Sequence, residues 1–194
     1  MDVPTNWVDK WPQLFLDYGP FFIILVLILV VLRYNVDWAY MWLIPIALLT
    51  LLVFAASLAI LFGAMNVYLR DTGHLLELWM MAWFWLSPIL YGYMLVANKI
   101  AEHGINGNIL LLNPVTPVLI TFQRALYGQP NSYKTTIDPV THQSVRQIDQ
   151  HLLPDSSVWW YLRNLGFVLA GATILFLVAI KIFDKAEGNF AEVM

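Results

Sequence analysis

The sequence predicts an all-α integral membrane protein with four transmembrane helices, a re-entrant or interfacial helical segment and an external loop. Three observations carry this. Of 194 residues, 60% are hydrophobic and only 12% are charged, against about 25% charged in a soluble domain. Such a chain could not cover a globular surface with polar groups. The apolar residues fall into long runs separated by short charged turns, and tryptophan and tyrosine gather at the ends of those runs, as at membrane–water interfaces.

Taken in order, Val3–Asp17 interleaves Trp7 and Trp11 with Asp9, Lys10 and Pro12. It reads equally as an interfacial amphipathic helix or as a lead-in to the first span. That span covers about 14–32. Its clean apolar run, Phe21–Leu32, is short of the roughly 20 residues that a bilayer core of about 30 Å requires, so Leu14–Pro20 must belong to it, with Asp17 either at the interface or facing protein. Arg33–Asp37 is a tight turn. The second span, about 38–65, opens on the aromatic belt Trp38, Tyr40 and Trp42. Within it Ala55, Ala59 and Gly63 share one face, where small residues let another helix approach closely.

Asn66–His74 is a charged turn, and the third span follows at about 75–97, broken near its middle by Ser87-Pro88. The apolar segment at about 109–127 carries Asn113-Pro114 and Pro117. It is too short and too interrupted to cross, so it reads as re-entrant or interfacial against protein or a water-filled cavity. Residues 128–157 form a polar external loop. The last span, about 158–183, opens on Trp159-Trp160-Tyr161 and closes on Lys181 and Lys185.

Four spans put both termini on one side. The short segments there hold Lys10, Arg70, Lys181 and Lys185, against Arg33 on the other side. The positive-inside rule therefore predicts cytoplasmic termini and an outer 98–157 region.

The composition also excludes chemistry. A net charge of −3 argues against nucleic acid as a partner. Without cysteine there is no thiol or Cys-based metal chemistry. The middle thirds of the spans carry no ionisable residue, the default mark of an ion-coupled pathway, and there is no G-x-x-x-x-G-K-S/T phosphate loop.

Two clusters remain as candidates. Asp71, His74 and Glu77 stand three apart at the head of the third span. They read as helix capping with interface anchoring, as a coupling contact at a membrane mouth, or as an acid–base or metal cluster; no catalytic residue and no metal ligand is assigned. Trp79 and Trp83 fall about 40° apart around a continuous third helix, and Tyr91 lies about 80° further round. They read either as helix-packing or lipid-facing groups, or as the lining of a conduit in which apolar sugar faces slide over rings. Pro88 predicts a kink, with Ser87 satisfying a freed carbonyl.

The stretch NVYLRDTGHLLELWMMAWFWLSPILY resembles the fourth-to-fifth span region of ABC-2 type permeases, most closely those exporting polysaccharides such as teichoic acid, O-antigen or capsule chains. Asn66, Val67, Arg70, Asp71, His74, Leu75, Ser87 and Pro88 carry the match. LLLNPVTPVLITFQRALYG is similar to a second family segment through Asn113, Pro114, Ile120 and Arg124, and FDKAEGNFAEVM to the family's tail.

The resemblance implies a multi-pass protein of the bacterial cytoplasmic membrane whose spans correspond to the third to sixth of six. Family members carry an interfacial helix, two further spans and a coupling helix ahead of the point where this chain begins. Trp79, Trp83, Ser87 and Tyr91 would line the conduit. Asn66, Arg70, Asp71, His74 and Glu77 would form the cytoplasmic mouth, and Asn113, Pro114, Gln123 and Arg124 the outer gate. The implied partners are a second permease copy, a separate ABC ATPase that binds ATP and Mg, membrane lipids and a lipid-linked glycan, with no cofactor in this chain. The alternatives are an ABC-2 exporter of a drug or lipid, a membrane enzyme acting through Asp71, His74 and Glu77, and a non-transporting membrane protein.

Overall fold

A computed structural model describes residues 36–68, 72–137 and 144–193, together with 16, 17, 19–21, 23, 24, 27 and 28. The chain divides into a unit Met1–Val36 and a unit Asp37–Met194. In the first unit the described positions between 16 and 28 are helical, and Leu16, Phe21, Ile23 and Leu27 are exposed. Most of the predicted first span, including Leu14, lies outside the described residues.

The second unit is built on two long helices. A single turn, α1 (Trp38–Met41), is capped by Asp37, whose carboxylate accepts from the Ala39 amide. It leads into α2 (Leu43–Tyr68). Pro45 sits in the first turn of α2, where its missing N–H costs nothing. The last helix, called α6 here (Val158–Val193), packs along α2 for much of its length.

The two run parallel. The rings of Tyr40 and Tyr161, near their N-terminal ends, meet edge to face at 5.3 Å. Buried residues recur at sevens on both helices: Leu43, Thr50, Ser57 and Ala64 on α2, and Leu165, Ala172 and Ala179 on α6. That spacing keeps one seam facing the partner. The Thr50 and Ser57 hydroxyls donate to the Ile46 and Phe54 carbonyls of their own helix, at 2.8 and 2.7 Å, so the seam buries no unpaired hydroxyl there.

Among the described residues, two helical stretches are long and apolar enough to cross a membrane, Trp38–Asn66 and Val158–Lys185. They match the second and fourth predicted spans. The face expected to receive a neighbouring helix differs: α6 uses the Leu43–Ala64 seam, whereas Ala55, Ala59 and Gly63 line an open cavity of about 470 Å³.

The third predicted span is corrected. Its helix, α3 (Thr72–Leu86), ends before Ser87, and a new helix, α4 (Tyr93–Glu102), begins after its N-cap Gly92. Pro88 has no N–H to give the Phe84 carbonyl. The Ser87 amide takes that carbonyl at 3.3 Å instead, and the Ser87 hydroxyl takes the Trp83 carbonyl at 2.9 Å. Both bonds tighten the last turn, and the chain stops as a helix where a kink was expected. The Met94 amide then bonds the Leu152 carbonyl at 3.1 Å, so the start of α4 is held by a distant loop.

A 3-10 helix, Gly107–Leu112, is capped by Asn106 and packs on α4. A Cβ at Gly107 would lie 2.7 Å from the backbone oxygen of Ala97. Gly107→Ala is therefore expected to lower stability by about 1–3 kcal/mol, read as a lower melting temperature in detergent. An unchanged melting temperature would show that this contact yields freely.

Helix α5 (Val115–Tyr127) ends at Gly128, which adopts φ 66°. It lies beside the first turns of α2: the Asp37 amide bonds the Ala125 carbonyl at 3.1 Å, and Val118, Ile120 and Ala125 share one core with Leu43, Ala47 and Leu165. Because α3 stops opposite Leu51 and Phe54, α5 occupies the space alongside α2 that a full-length third helix would have filled.

The all-α expectation is also corrected. Residues 128–157 contain an antiparallel hairpin, β1 (Asn131–Ile137) with β2 (Ser144–His151), bulged between Ser132 and Tyr133. Runs such as YKTTI and SVRQI alternate polar with β-branched or aromatic residues, which suits a two-stranded ribbon.

Candidate functional site

The break after α3 is held by one amide. Asn113 sits between the 3-10 helix and α5, and its side chain uses both ends. Its Oδ1 accepts from the Trp83 indole Nε1 at 2.9 Å and from the Val115 amide at 3.1 Å. Its Nδ2 donates to the Ser87 hydroxyl at 3.1 Å and, more weakly, to the Leu86 carbonyl at 3.4 Å. An asparagine amide offers two donors and an oxygen with two lone pairs, so Asn113 is saturated. Pro114 follows it as the N-cap of α5. Two residues past the middle of α5, Gln123 donates to the Pro88 carbonyl at 3.0 Å. Carbonyls that would be orphaned at the helix end are thus met by side chains from α5 and the turn before it.

Beside this knot lies a cavity of about 380 Å³ lined by Trp79, Ala82, Trp83, Leu86, Ile109, Leu110 and Asn113. The ring of Trp83 is fixed on three sides: its N–H by Asn113, and its faces and edges by Phe54 and Trp79, both T-shaped at 5.8 Å. With the Trp83 N–H and the Asn113 amide already engaged, the wall is almost wholly aromatic and aliphatic. It can offer ring faces and apolar contact, while directed hydrogen bonds are in short supply.

Tyr91 is not on the Trp79–Trp83 stripe. The stripe assumed a continuous helix, and the helix ends five residues earlier; the Tyr91 hydroxyl instead donates to the Leu86 carbonyl at 3.1 Å. It belongs to the closure of the break.

Arg124 anchors the other side of α5. Its guanidinium is 3.5 Å from the Asp37 carboxylate and stands over the Tyr40 ring at 4.8 Å. It also hydrogen-bonds Gln129. The Arg124 side chain is only 12% exposed, and Asp37 30%. Tyr40 and Tyr161 complete the patch, their hydroxyls donating to the Ser156 and Pro154 carbonyls at 2.8 Å each. Sequence reasoning singled out Arg124 and missed Asp37, Tyr40 and Gln129. Asp37 carries two signals that could have found it, an N-capping residue type and a position directly before an aromatic belt.

The predicted cytoplasmic mouth is a separate place. Arg70 and Asp71 lie outside the described residues. Asn66 lines the 470 Å³ cavity together with Thr72 and Gly73. His74 and Glu77 approach to 4.0 Å, at 88% and 82% exposure, which makes them a solvated pair of little energetic weight. Among the described residues no three His, Cys, Asp or Glu side chains group as a metal site. The structure therefore brings Trp79, Trp83, Ser87, Asn113, Pro114 and Gln123 together, and keeps Asn66, His74 and Glu77 at the other end of α3.

No protein-family profile matches the chain. It is similar to the O-antigen export system permease protein RfbA of Myxococcus xanthus, at 25% identity over 148 residues, covering 76% of this chain and 45% of that protein. Two Klebsiella pneumoniae proteins of the same name are 23% and 21% identical over 163 and 156 residues. They cover 84% and 80% of this chain, and 49% and 47% of their own length. The chain spans about half the length of these relatives. The similarity supports the resemblance to ABC-2 type polysaccharide-export permeases.

Proposed function

We propose that this chain is part of the membrane permease of an ATP-driven exporter that moves a lipid-linked polysaccharide across the bacterial cytoplasmic membrane. The observation that supports this most is the aromatic cavity at the α3 break, in a chain similar over about four-fifths of its length to proteins named as O-antigen export permeases. Ring faces suit a sliding polymer. Stacking is weakly directional, so each sugar can leave one ring and meet the next without breaking a specific hydrogen bond.

In this reading Trp79 and Trp83 line the glycan path, and the Asn113–Arg124 segment gates its outer end. Asn66, Arg70, Asp71, His74 and Glu77 form the cytoplasmic mouth, and the termini lie in the cytoplasm. ATP and Mg are bound by a separate ABC ATPase subunit, and a second permease copy completes the conduit. The nearly apolar wall favours one further reading, in which the same fold exports an amphipathic drug or lipid.

Export of surface glycan, measured with the ATPase partner co-expressed, tests the proposal. Trp83→Ala is expected to reduce export about tenfold or more with membrane insertion unchanged. Trp83→Phe keeps a ring face and loses only the N–H bond to Asn113, so it should retain much of the export. Normal export in Trp83→Ala would remove the conduit role. A loss confined to drug or lipid efflux would favour the second reading.

A further inference from the structure

We propose that α4 and α5 form a two-position element, and that two buried hydroxyls, those of Tyr93 and Thr116, bias it away from the position it occupies here. This concerns the conformations of the chain itself and holds whatever cargo the protein moves.

Buried polar groups in native proteins almost always have partners. The Thr50, Ser57 and Thr121 hydroxyls donate to carbonyls of their own helices, and the Ser87 hydroxyl donates to Trp83. Among the described residues, three buried side-chain atoms have no partner: Tyr93 Oη, Thr116 Oγ1 and Arg124 Nε. All three lie on α4 or α5, and none on the α2–α6 pair.

The contrast holds within a single core. Tyr40, Tyr93 and Tyr161 are buried in one cluster. The Tyr40 and Tyr161 hydroxyls reach the loop before α6, at the Ser156 and Pro154 carbonyls. The Leu152 carbonyl of that loop goes to the Met94 amide, and the Leu153 carbonyl to Gln129. Tyr93, only 2% exposed, is left with neither a carbonyl nor solvent. Thr116 is orphaned for a different reason. A buried helical threonine can donate to the carbonyl four residues back, as Thr121 does to Pro117. Thr116 is the second residue of α5, and Leu112, four residues back, belongs to the preceding 3-10 helix.

A buried hydroxyl without a partner has lost its water for nothing in return. Any displacement of α4 or α5 that returns either hydroxyl to water, or to an acceptor, recovers that loss. Opposed to this are the bonds that hold α5 at both ends. Asn113 ties it to α3, and Asp37 ties it to α1 through Ala125 and Arg124. Opposed groups on one segment make a balance that a modest differential affinity for either position tips.

The chain has no cysteine, so Val118→Cys places a single thiol at a core position of α5 that is 2% exposed. In the full chain in nanodiscs, N-ethylmaleimide reaches this thiol only when α5 moves, and the labelling rate tracks the displaced population. In that background Tyr93→Phe and Thr116→Val each delete an orphaned hydroxyl at nearly constant shape. Each is expected to slow labelling about fivefold or more and to raise the melting temperature. Tyr161→Phe deletes the same atom where it has a partner, and should speed labelling and lower the melting temperature. The two orphan variants are independent, so either one that inserts gives the result. Unchanged or faster labelling in an inserted orphan variant would overturn the inference, even if that variant melts higher.

Discussion

Asn113→Ala is expected to lower the stability of the protein by roughly 2–4 kcal/mol and to release the end of α3 from α5. Four hydrogen bonds end on this side chain, from or to Trp83, Ser87, Leu86 and Val115. At about 1 kcal/mol net for each bond the loss is near 4. At the average of about 0.6 measured for polar pairs inside membrane proteins it is near 2. The two estimates bracket the expectation and both exceed ordinary surface substitutions, which stay within about 0.5 kcal/mol. Thermal melting in detergent, followed by tryptophan fluorescence, measures it. Asn108→Ala, at an exposed neighbouring position, is the control and should melt like the parent. Equal melting temperatures for the two variants would mean that Asn113 does not hold the break together.

Arg124→Ala is the second large effect, expected at roughly 1–3 kcal/mol. The full cost of stripping one partner from a buried ion pair is about 3–5 kcal/mol. Asp37 retains partial access to solvent, which discounts that figure. Arg124→Lys should recover only part of the loss, because an ammonium cannot reproduce the planar fork that meets Asp37 and Gln129 while lying over Tyr40. Asp37→Ala and the double variant complete a cycle whose coupling energy reports the pair itself. Additive effects in that cycle would show that Arg124 acts through Tyr40 and Gln129 alone.

The two variants probe different joints of one segment. Asn113 ties the start of α5 to the end of α3, and Arg124 ties its last turn to the start of α1 and α2. If α5 gates a path, the first joint is expected to alter export through the Trp79–Trp83 cavity. The second is expected to alter how α5 sits on the α2–α6 pair.

Much of the architecture was legible because it depends on composition over long windows. Residues 38–65 and 158–183 are apolar over lengths sufficient to cross a bilayer, and both emerge as helices, extended at their C-terminal ends. Ser87-Pro88 announced an interruption, since proline removes a donor wherever it lies. Its depth was not legible. Whether a helix bends through a proline or stops there depends on whether the freed carbonyls find other partners. Here the Ser87 amide and hydroxyl take the Phe84 and Trp83 carbonyls, while Asn113 and Gln123 meet the Leu86 and Pro88 carbonyls from 27 and 35 residues away. The hairpin was missed for a related reason: a polar stretch of 30 residues has a weak local pattern, and pairing between β1 and β2 is a non-local choice.

The sequence by itself determined the class of protein, two of its long helices, the site of the break and the aromatic pair Trp79 and Trp83 ahead of it, each from hydropathy over a window or from the chemistry of a single residue type. Asn113, Gln123 and Arg124 were singled out through the family resemblance. Only the tertiary structure decided that α2 and α6 run parallel on a seven-residue seam, and that Tyr91 leaves the aromatic stripe. It also decided that Ala55, Ala59 and Gly63 face a cleft and that Asp37 is the partner of Arg124. Those outcomes turn on which distant groups satisfy one another's hydrogen bonds and fill one another's space, and residues far apart along the chain acquire that relation only when it folds.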